Sequence, residues 1–275
     1  MAMIEMIHHT RTQGHDVRLF LYGNALIHTA RNKATGALRP DADFVLFMDD
    51  DMLAARDALT RLIQHDLPAV SGLCTNRNPP VSLVAKVWDA VSRQFRRVTR
   101  INLQKVVSGE FAVGGAFLLL KRSVVDQLIE YHLSGQDWLD QNVEMLNLLH
   151  VRTPQRESYQ KRLSGVRRAR WEADRYLLLW DFPVGIDGLM LGEDVSLCQK
   201  LHRLKIPVAI DGRVHVGHVG EYPYGLWDVL RQEAEGIDGS GEDATIGGPV
   251  NIPLEKVQVS NVEEVLQEYV ERRAS

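Results

Sequence analysis

The chain is poor in cysteine. Cys74 and Cys198 are the only two among 275 residues, and they lack the spacing of a metal-binding pair. Two thiols cannot build a disulfide framework, which points to a reducing compartment. Long apolar runs are missing too. No stretch of about 18 apolar residues occurs, so no segment is expected to cross a bilayer as a helix. Residues 1–14 carry no apolar leader core. The expected location is therefore the cytoplasm, with peripheral docking on a membrane left open. Nor is there an excess of positive charge: 32 Lys and Arg stand against 36 Asp and Glu, for a net charge of −4. That balance argues against a nucleic-acid partner, whose binder is normally strongly basic. There is no internal repeat and no long low-complexity stretch.

What is present is the composition of a globular protein, 45% apolar and 25% charged. The length allows one large α/β domain or two small ones. Helical spacing at Met3, Met6 and Ile7 predicts a helix over 3–12, stopped by Gly14. Val17, Leu19 and Leu21 alternate and predict a strand. Helices are expected over 25–36 and 54–65, and strands over 44–48, 69–73 and 81–88. The segment 111–120, interrupted by Gly114-Gly115, leads into a helix that Ser123 and Asp126 would cap. Residues 128–190 read as a helical insertion rich in Trp, Arg and Leu. Alternation of strand and helix resumes over 191–216, with a turn at Asp211-Gly212. These elements predict an α/β fold with a mainly parallel sheet flanked by helices. We divide the chain into a domain over 1–235 and a tail over 236–275, made of a glycine-rich linker and a helix over 261–273.

The first candidate site follows Phe44-Val45-Leu46-Phe47-Met48. That short apolar run suits a strand buried on both faces. Asp49, Asp50 and Asp51 come directly after it, and ligands of open α/β sheets bind beyond the carboxyl ends of strands. Adjacent carboxylates repel unless a cation joins them. Alternate residues of an extended chain point the same way, so Asp49 and Asp51 can share a site. Their oxygens suit Mg²⁺ or Mn²⁺. The bland alternative, a solvated acidic turn, is outweighed by the strand in front of it.

A second candidate is Gly192-Glu193-Asp194, which opens a helix. The helix dipole alone favours acids there, yet a carboxylate at a helix start can also act as a general base. Downstream, His215 and His218 flank Gly217 among small and β-branched residues. Imidazole suits Mn²⁺ better than Mg²⁺.

Together the runs DFVLFMDDDM, VGGAFLLLKRSV and GEDVSLCQKLHRLKIPVAIDGRVHVGH resemble the GT-A fold of glycosyltransferases, in the style of family-2-like enzymes, over roughly residues 15–127 and 185–225. The resemblance implies a Rossmann-like sheet and transfer of a sugar from a UDP- or GDP-sugar donor to a carbohydrate or lipid-linked acceptor. It implies that Asp49 and Asp51 are the D-x-D pair that holds the diphosphate through Mn²⁺ or Mg²⁺, with Asp50 between them in the donor site. It places Arg31 and Asn32 in the donor pocket and Gly114 and Gly115 beside the transferred sugar. Glu193 and Asp194 match the acidic pair near the acceptor, with Asp194 as base. His218 matches the late histidine of the metal site, and His215 is the weaker candidate. In that fold a strand and a nucleotide-binding loop precede the first helix. This chain opens at the helix, so the first strand is apparently missing, and an apolar strand encoded in frame upstream of Met1 is expected.

Two other readings stay open on sequence alone. One is a nucleotidyltransferase of similar fold. The other is a non-catalytic, degenerate protein of the glycosyltransferase type that keeps the shape for binding. The insertion adds a further question. Arg152, Arg156, Lys161, Arg162, Arg167, Arg168 and Arg170 form a basic segment with Trp138, Trp171, Tyr176 and Trp180 nearby. It reads either as a solvated or subunit-facing helix surface or as a site for an anionic membrane surface.

Overall fold

The computed structural model describes residues 2–23, 25–76, 81–92, 94–184, 190–219, 223–226, 228–229 and 244–245. Along the chain these form α1 (Ala2–Thr12), α2 (Ile27–Gly36), β1 (Phe44–Met48), β2 (Met52–Ala54), α3 (Ala58–Gln64), β3 (Ala69–Cys74), β4 (Ala85–Asp89), β5 (Gln94–Arg100), β6 (Val106–Gly109), β7 (Phe111–Val113) and β8 (Phe117–Lys121). There follow α4 (Arg122–Leu133), α5 (Gln136–Gln141), α6 (Val143–Leu148), α7 (Thr153–Asp174), α8 (Glu193–Arg203), β9 (Val208–Val219), β10 (Pro223–Tyr224) and β11 (Ala244–Thr245). The helix expected over 261–273 lies outside the described residues. The chain divides into two compact units. Unit 1 comprises Met1–Arg18, Leu46–Leu119 and Pro207–Ser275, and unit 2 comprises Leu19–Val45 and Leu120–Ile206.

Unit 1 is built on sheets. A seven-stranded sheet runs β1-β8-β3-β9-β10, with β2 and β6 also paired to β9. All six residues of β3 are buried, which is why it reads as a continuous small and apolar run. Its one hydroxyl, on Ser71, is satisfied by donating to the Phe117 carbonyl at 2.9 Å. Leu62, Leu73, Leu118 and Leu119 are at most 1% exposed, and each such side chain contributes about 1.5–3 kcal/mol through burial. Helix α1 packs on α3 and β2, and α3 packs on β3 and β9.

The sheet is mixed rather than mainly parallel, which corrects the sequence reading. β3 and β9 are parallel. β2, β6 and β10 all join β9 antiparallel. In a second sheet, β11-β5-β4-β7, β4 is antiparallel to both β5 and β7, and β11 is parallel to β5. For the β4–β5 pair the cause is connection length. A parallel pair needs a crossover of a dozen or more residues. Only four residues join β4 to β5, so that pair folds back on itself.

Three local expectations also change. Residues 17–21 form no strand, and Leu19, Phe20 and Leu21 are 46%, 57% and 76% exposed. Helix α4 begins at Arg122, one residue before the expected cap, so Ser123 lies inside the first turn and Asp126 pairs with Arg122 at 2.8 Å. Asp211-Gly212 does not end a strand. β9 runs through it with a register shift opposite Gly72 and Leu73. Gly212 is required there, because a Cβ would lie 2.2 Å from the Asn102 carbonyl oxygen. Asp211, fully buried, accepts from the Arg213 side chain at 2.9 and 3.0 Å and lies 2.7 Å from His65 Nε2.

Unit 2 contains six of the helices, α2 and α4–α8. The expected insertion over 128–190 is helical through α7. Gly135 breaks α4 from α5 with φ of 77°, a backbone conformation open to glycine at little cost. α7 spans 22 residues and buries none of them, so little burial supports its length. It packs along α4 and α5.

Polar networks accompany the apolar core of this unit, which includes Leu128, Leu177, Leu179 and Leu201. Asp137, 1% exposed, lies 2.8 Å from His132 Nδ1 and accepts from the Arg167 guanidinium. Burial pushes the Asp137 carboxyl up, but His132 and Arg167 outweigh it and hold it below the usual range. Burial keeps the His132 imidazole below its ordinary value, as a neutral donor to Asp137. A second network pins residues 177–181. Asn32 accepts from the Leu179 and Trp180 amides at 2.8 and 3.0 Å and donates to the Trp180 carbonyl at 2.8 Å. Lys200, fully buried, donates to the Leu179 carbonyl and to Asp181, both at 2.7 Å.

Candidate functional site

The two units divide the sequence-derived residues between them. Unit 1 holds Asp49, Asp50, Asp51, Gly114, Gly115, His215 and His218. Unit 2 holds Arg31, Asn32, Glu193 and Asp194.

In unit 1 the residues collect along the ends of neighbouring strands. Asp49 leaves the carboxyl end of β1, and its amide donates to the Ala116 carbonyl at 3.1 Å. Ala116 directly follows Gly114 and Gly115, which are buried between β7 and β8. The acidic turn runs into β2, and β2 pairs with the far end of β9, so that Met52 faces His218. The Val219 amide donates to the Asp51 carbonyl at 2.7 Å. The strand carrying His218 is thereby fastened to the acidic turn.

β3 completes the row. Its last residue, Cys74, senses the Asp49 charge, although burial is the larger reason that its thiol is pushed up to about 12. A thiol held there is protonated at neutral pH and is neither nucleophile nor ligand. The next residue, Thr75, offers its carbonyl to His218 Nδ1. A carbonyl can only accept, so the proton of the neutral ring sits on Nδ1 and the lone pair on Nε2. A backbone carbonyl on one ring nitrogen is the usual means of presenting the other to a metal. His215 differs. Its Nε2 bonds the Gly212 carbonyl at 2.9 Å, and burial lowers its proton affinity. It is a structural hydrogen-bonder of the β9 bulge.

Among the described residues, no group of three or more His, Cys, Asp or Glu side chains could hold a metal ion. Asp49, Asp51 and His218 therefore lie toward one end of the strands without grouping into a cation site.

In unit 2 the residues have internal partners. Arg31 Nη1 lies 3.0 Å from Glu193 Oε1, with side chains 7% and 14% exposed. The same guanidinium stacks on the Trp180 ring, 4.8 Å from its centroid. Glu193 thus orders the start of α8 against α2. Asp194 is half-buried in the first turn of α8, and its Oδ1 accepts from the Val195 amide at 2.8 Å. Asn32 belongs to the clasp on residues 177–181. The basic segment is also partly committed. Arg167 serves Asp137, Arg168 pairs with Glu130, and Arg170 pairs with Asp174.

No family model and no curated protein matches this chain. Among solved structures it is similar to the crystal structure of A197 from STIV, at 12% identity, with 78% of each chain covered and a TM-score of 0.38.

Sequence reasoning missed Thr75, Ala116 and Lys200, and named Trp180 only beside the basic segment, not as the ring under Arg31. The first two act through backbone carbonyls, which carry no residue signature. Lys200 sits on the apolar face of α8 between Leu197 and Leu201, and a lysine on such a face is the signal for a buried ion pair.

Proposed function

We propose that this chain is a GT-A-type transferase that moves a sugar from a UDP- or GDP-sugar to an acceptor hydroxyl. The observation that supports the reading is the fastening of three distant segments at one end of the strands. The acidic turn bonds to Ala116 beside the glycine pair, and to Val219 beside His218. Carboxylates, a glycine pair and an imidazole bonded through Nδ1 are residue types suited to a diphosphate and its cation.

Mg²⁺ or Mn²⁺ would be held here only together with the donor's phosphate oxygens, since such cations are commonly bound by one or two carboxylates and substrate phosphates. Asp49 and Asp51 would supply the hard oxygens, and His218 would be the further ligand. When bound, the cation offsets the charge that develops on the departing diphosphate. Asp194 is assigned the acceptor proton, as general base. Glu193 is a positioning residue, because its carboxylate is engaged by Arg31.

Thermal unfolding with UDP-, GDP- and CMP-sugars, with and without Mn²⁺, tests the reading. A shift with one nucleotide, dependent on Mn²⁺, identifies the donor class. Asp51→Ala removes that shift and leaves the unliganded Tm within about 2 °C of the parent. Asp194→Asn keeps the shift and lowers turnover about a hundredfold or more. No shift with any donor, or an undiminished shift in Asp51→Ala, overturns the proposal.

A further inference from the structure

Unit 2 leaves apolar side chains outside where α6 meets α7. Leu148 and Leu149 are 67% and 65% exposed, and Tyr159 and Val166 on α7 are 56% and 63% exposed. Leu148 and Leu149 lie at the end of α6, and Tyr159 and Val166 lie farther along on α7. Arg156 on α7 donates to the Asn147 side chain at 2.8 Å and to the Val151 carbonyl at 2.7 Å, which draws the start of α7 onto the end of α6. The half-buried residues of α7, from Arg156 through Gln160, Leu163 and Arg167 to Trp171, form its inward stripe. Tyr159, Arg162 and Val166 fall at i, i+3 and i+7 on the outward side.

Charge distinguishes the occupants. Residues 152–175 contain eight Arg and Lys against three Asp and Glu, a net of +5 in a chain whose total is −4. Arg156, Arg167, Arg168 and Arg170 are engaged within unit 2. Lys161 and Arg162 are exposed. A second copy would bring like charges together across this face. A nucleic acid would leave Leu148, Leu149 and Val166 in water. An anionic bilayer satisfies both features, as apolar side chains enter the interface and cations meet the headgroups. No helix among the described residues is long and apolar enough to cross a membrane, so the contact is interfacial.

We infer that the α6–α7 face docks the protein on an anionic lipid bilayer through Leu148 and Leu149, with Lys161 and Arg162 against the headgroups. This inference is independent of the transferase reading. Arg167 is unsuited to its test, because it belongs to the Asp137 network and its reversal would damage unit 2 itself.

The experiment is sedimentation of the full chain with vesicles of phosphatidylcholine, alone or with roughly one-third phosphatidylserine. The parent binds the anionic vesicles, and added salt weakens the binding. Leu148→Ser with Leu149→Ser, and separately Lys161→Glu with Arg162→Glu, each reduce binding at least about tenfold. Circular dichroism and Tm stay unchanged, since all four side chains are exposed. Equal binding to neutral vesicles, no binding by the parent, or parental binding by either double variant overturns the inference. So does self-association, or oligonucleotide binding, that the same substitutions abolish while vesicles are ignored.

Discussion

Among the described residues, nineteen large apolar side chains are exposed, and seventeen of them belong to unit 2; Ile4 and Val91 are unit 1's. The contrast follows from what each unit is made of. Unit 1 stacks strands whose side chains enter a common core, so its apolar surface is consumed in folding. Unit 2 is helical, and its longest helix buries none of its residues. Its helices close on an apolar core that includes Leu128, Leu177, Leu179, Trp180 and Leu201, and charged and polar clasps around Asp137, Asn32 and Lys200 are added to it. A unit held that way can leave apolar side chains outside and present them to a partner, whereas the sheet unit supplies a fixed edge on which an acidic turn can be held.

The sharpest way to break this comparison is Asp137→Ala. Removing the carboxylate strips Arg167 and His132 of their shared anion in a buried site, at a cost of about 3–5 kcal/mol. Urea unfolding followed by tryptophan fluorescence reads it well, because Trp138, Trp171 and Trp180, three of the five tryptophans, lie in unit 2. A loss under about 1 kcal/mol would mean that packing, not the polar clasp, holds the unit.

The matching probe of unit 1 is steric. Gly212→Ala drives a Cβ against the Asn102 carbonyl and is expected to cost about 1–3 kcal/mol. An unchanged midpoint would show that the β9 bulge yields, and that unit 1 is less closely packed than its burial implies.

The smallest effect is shared by both units. His215 in unit 1 and His132 in unit 2 are each held below the ordinary imidazole value by burial. A depressed folded value means that the unfolded chain binds the proton first. Stability is then complete above about pH 6.5 and declines as pH falls below it, toward the folded values. Ring-proton NMR titration should find both histidines titrating below an exposed one. A stability that rises on acidification from neutral pH would contradict the assignment.

Part of the molecule is legible in its residues alone. Phe44–Met48 is a strand with the bounds its sequence implies, since a short apolar run ended by three aspartates has few other ways to fold. Glu193 opens α8 as expected, after a glycine and ahead of an apolar stripe. The acidic turn at the end of a strand follows from those two local rules. The sheet's direction does not follow, because β2 and β6 pair antiparallel with β9, a strand far along the chain, and no local pattern specifies that pairing.

The chemistry of the residues is thus written in the chain: three adjacent carboxylates, a glycine pair, a late histidine and a basic helix. Their partners are not. Arg31 meets Glu193 across 162 positions, and His218 meets the Thr75 carbonyl across 143. Side-chain type is a local property, whereas a hydrogen-bond partner depends on which strands pair and which helices pack. Only the tertiary structure could therefore decide that His218 stands by the acidic turn, that Glu193 is occupied, and that part of the basic segment is internal glue.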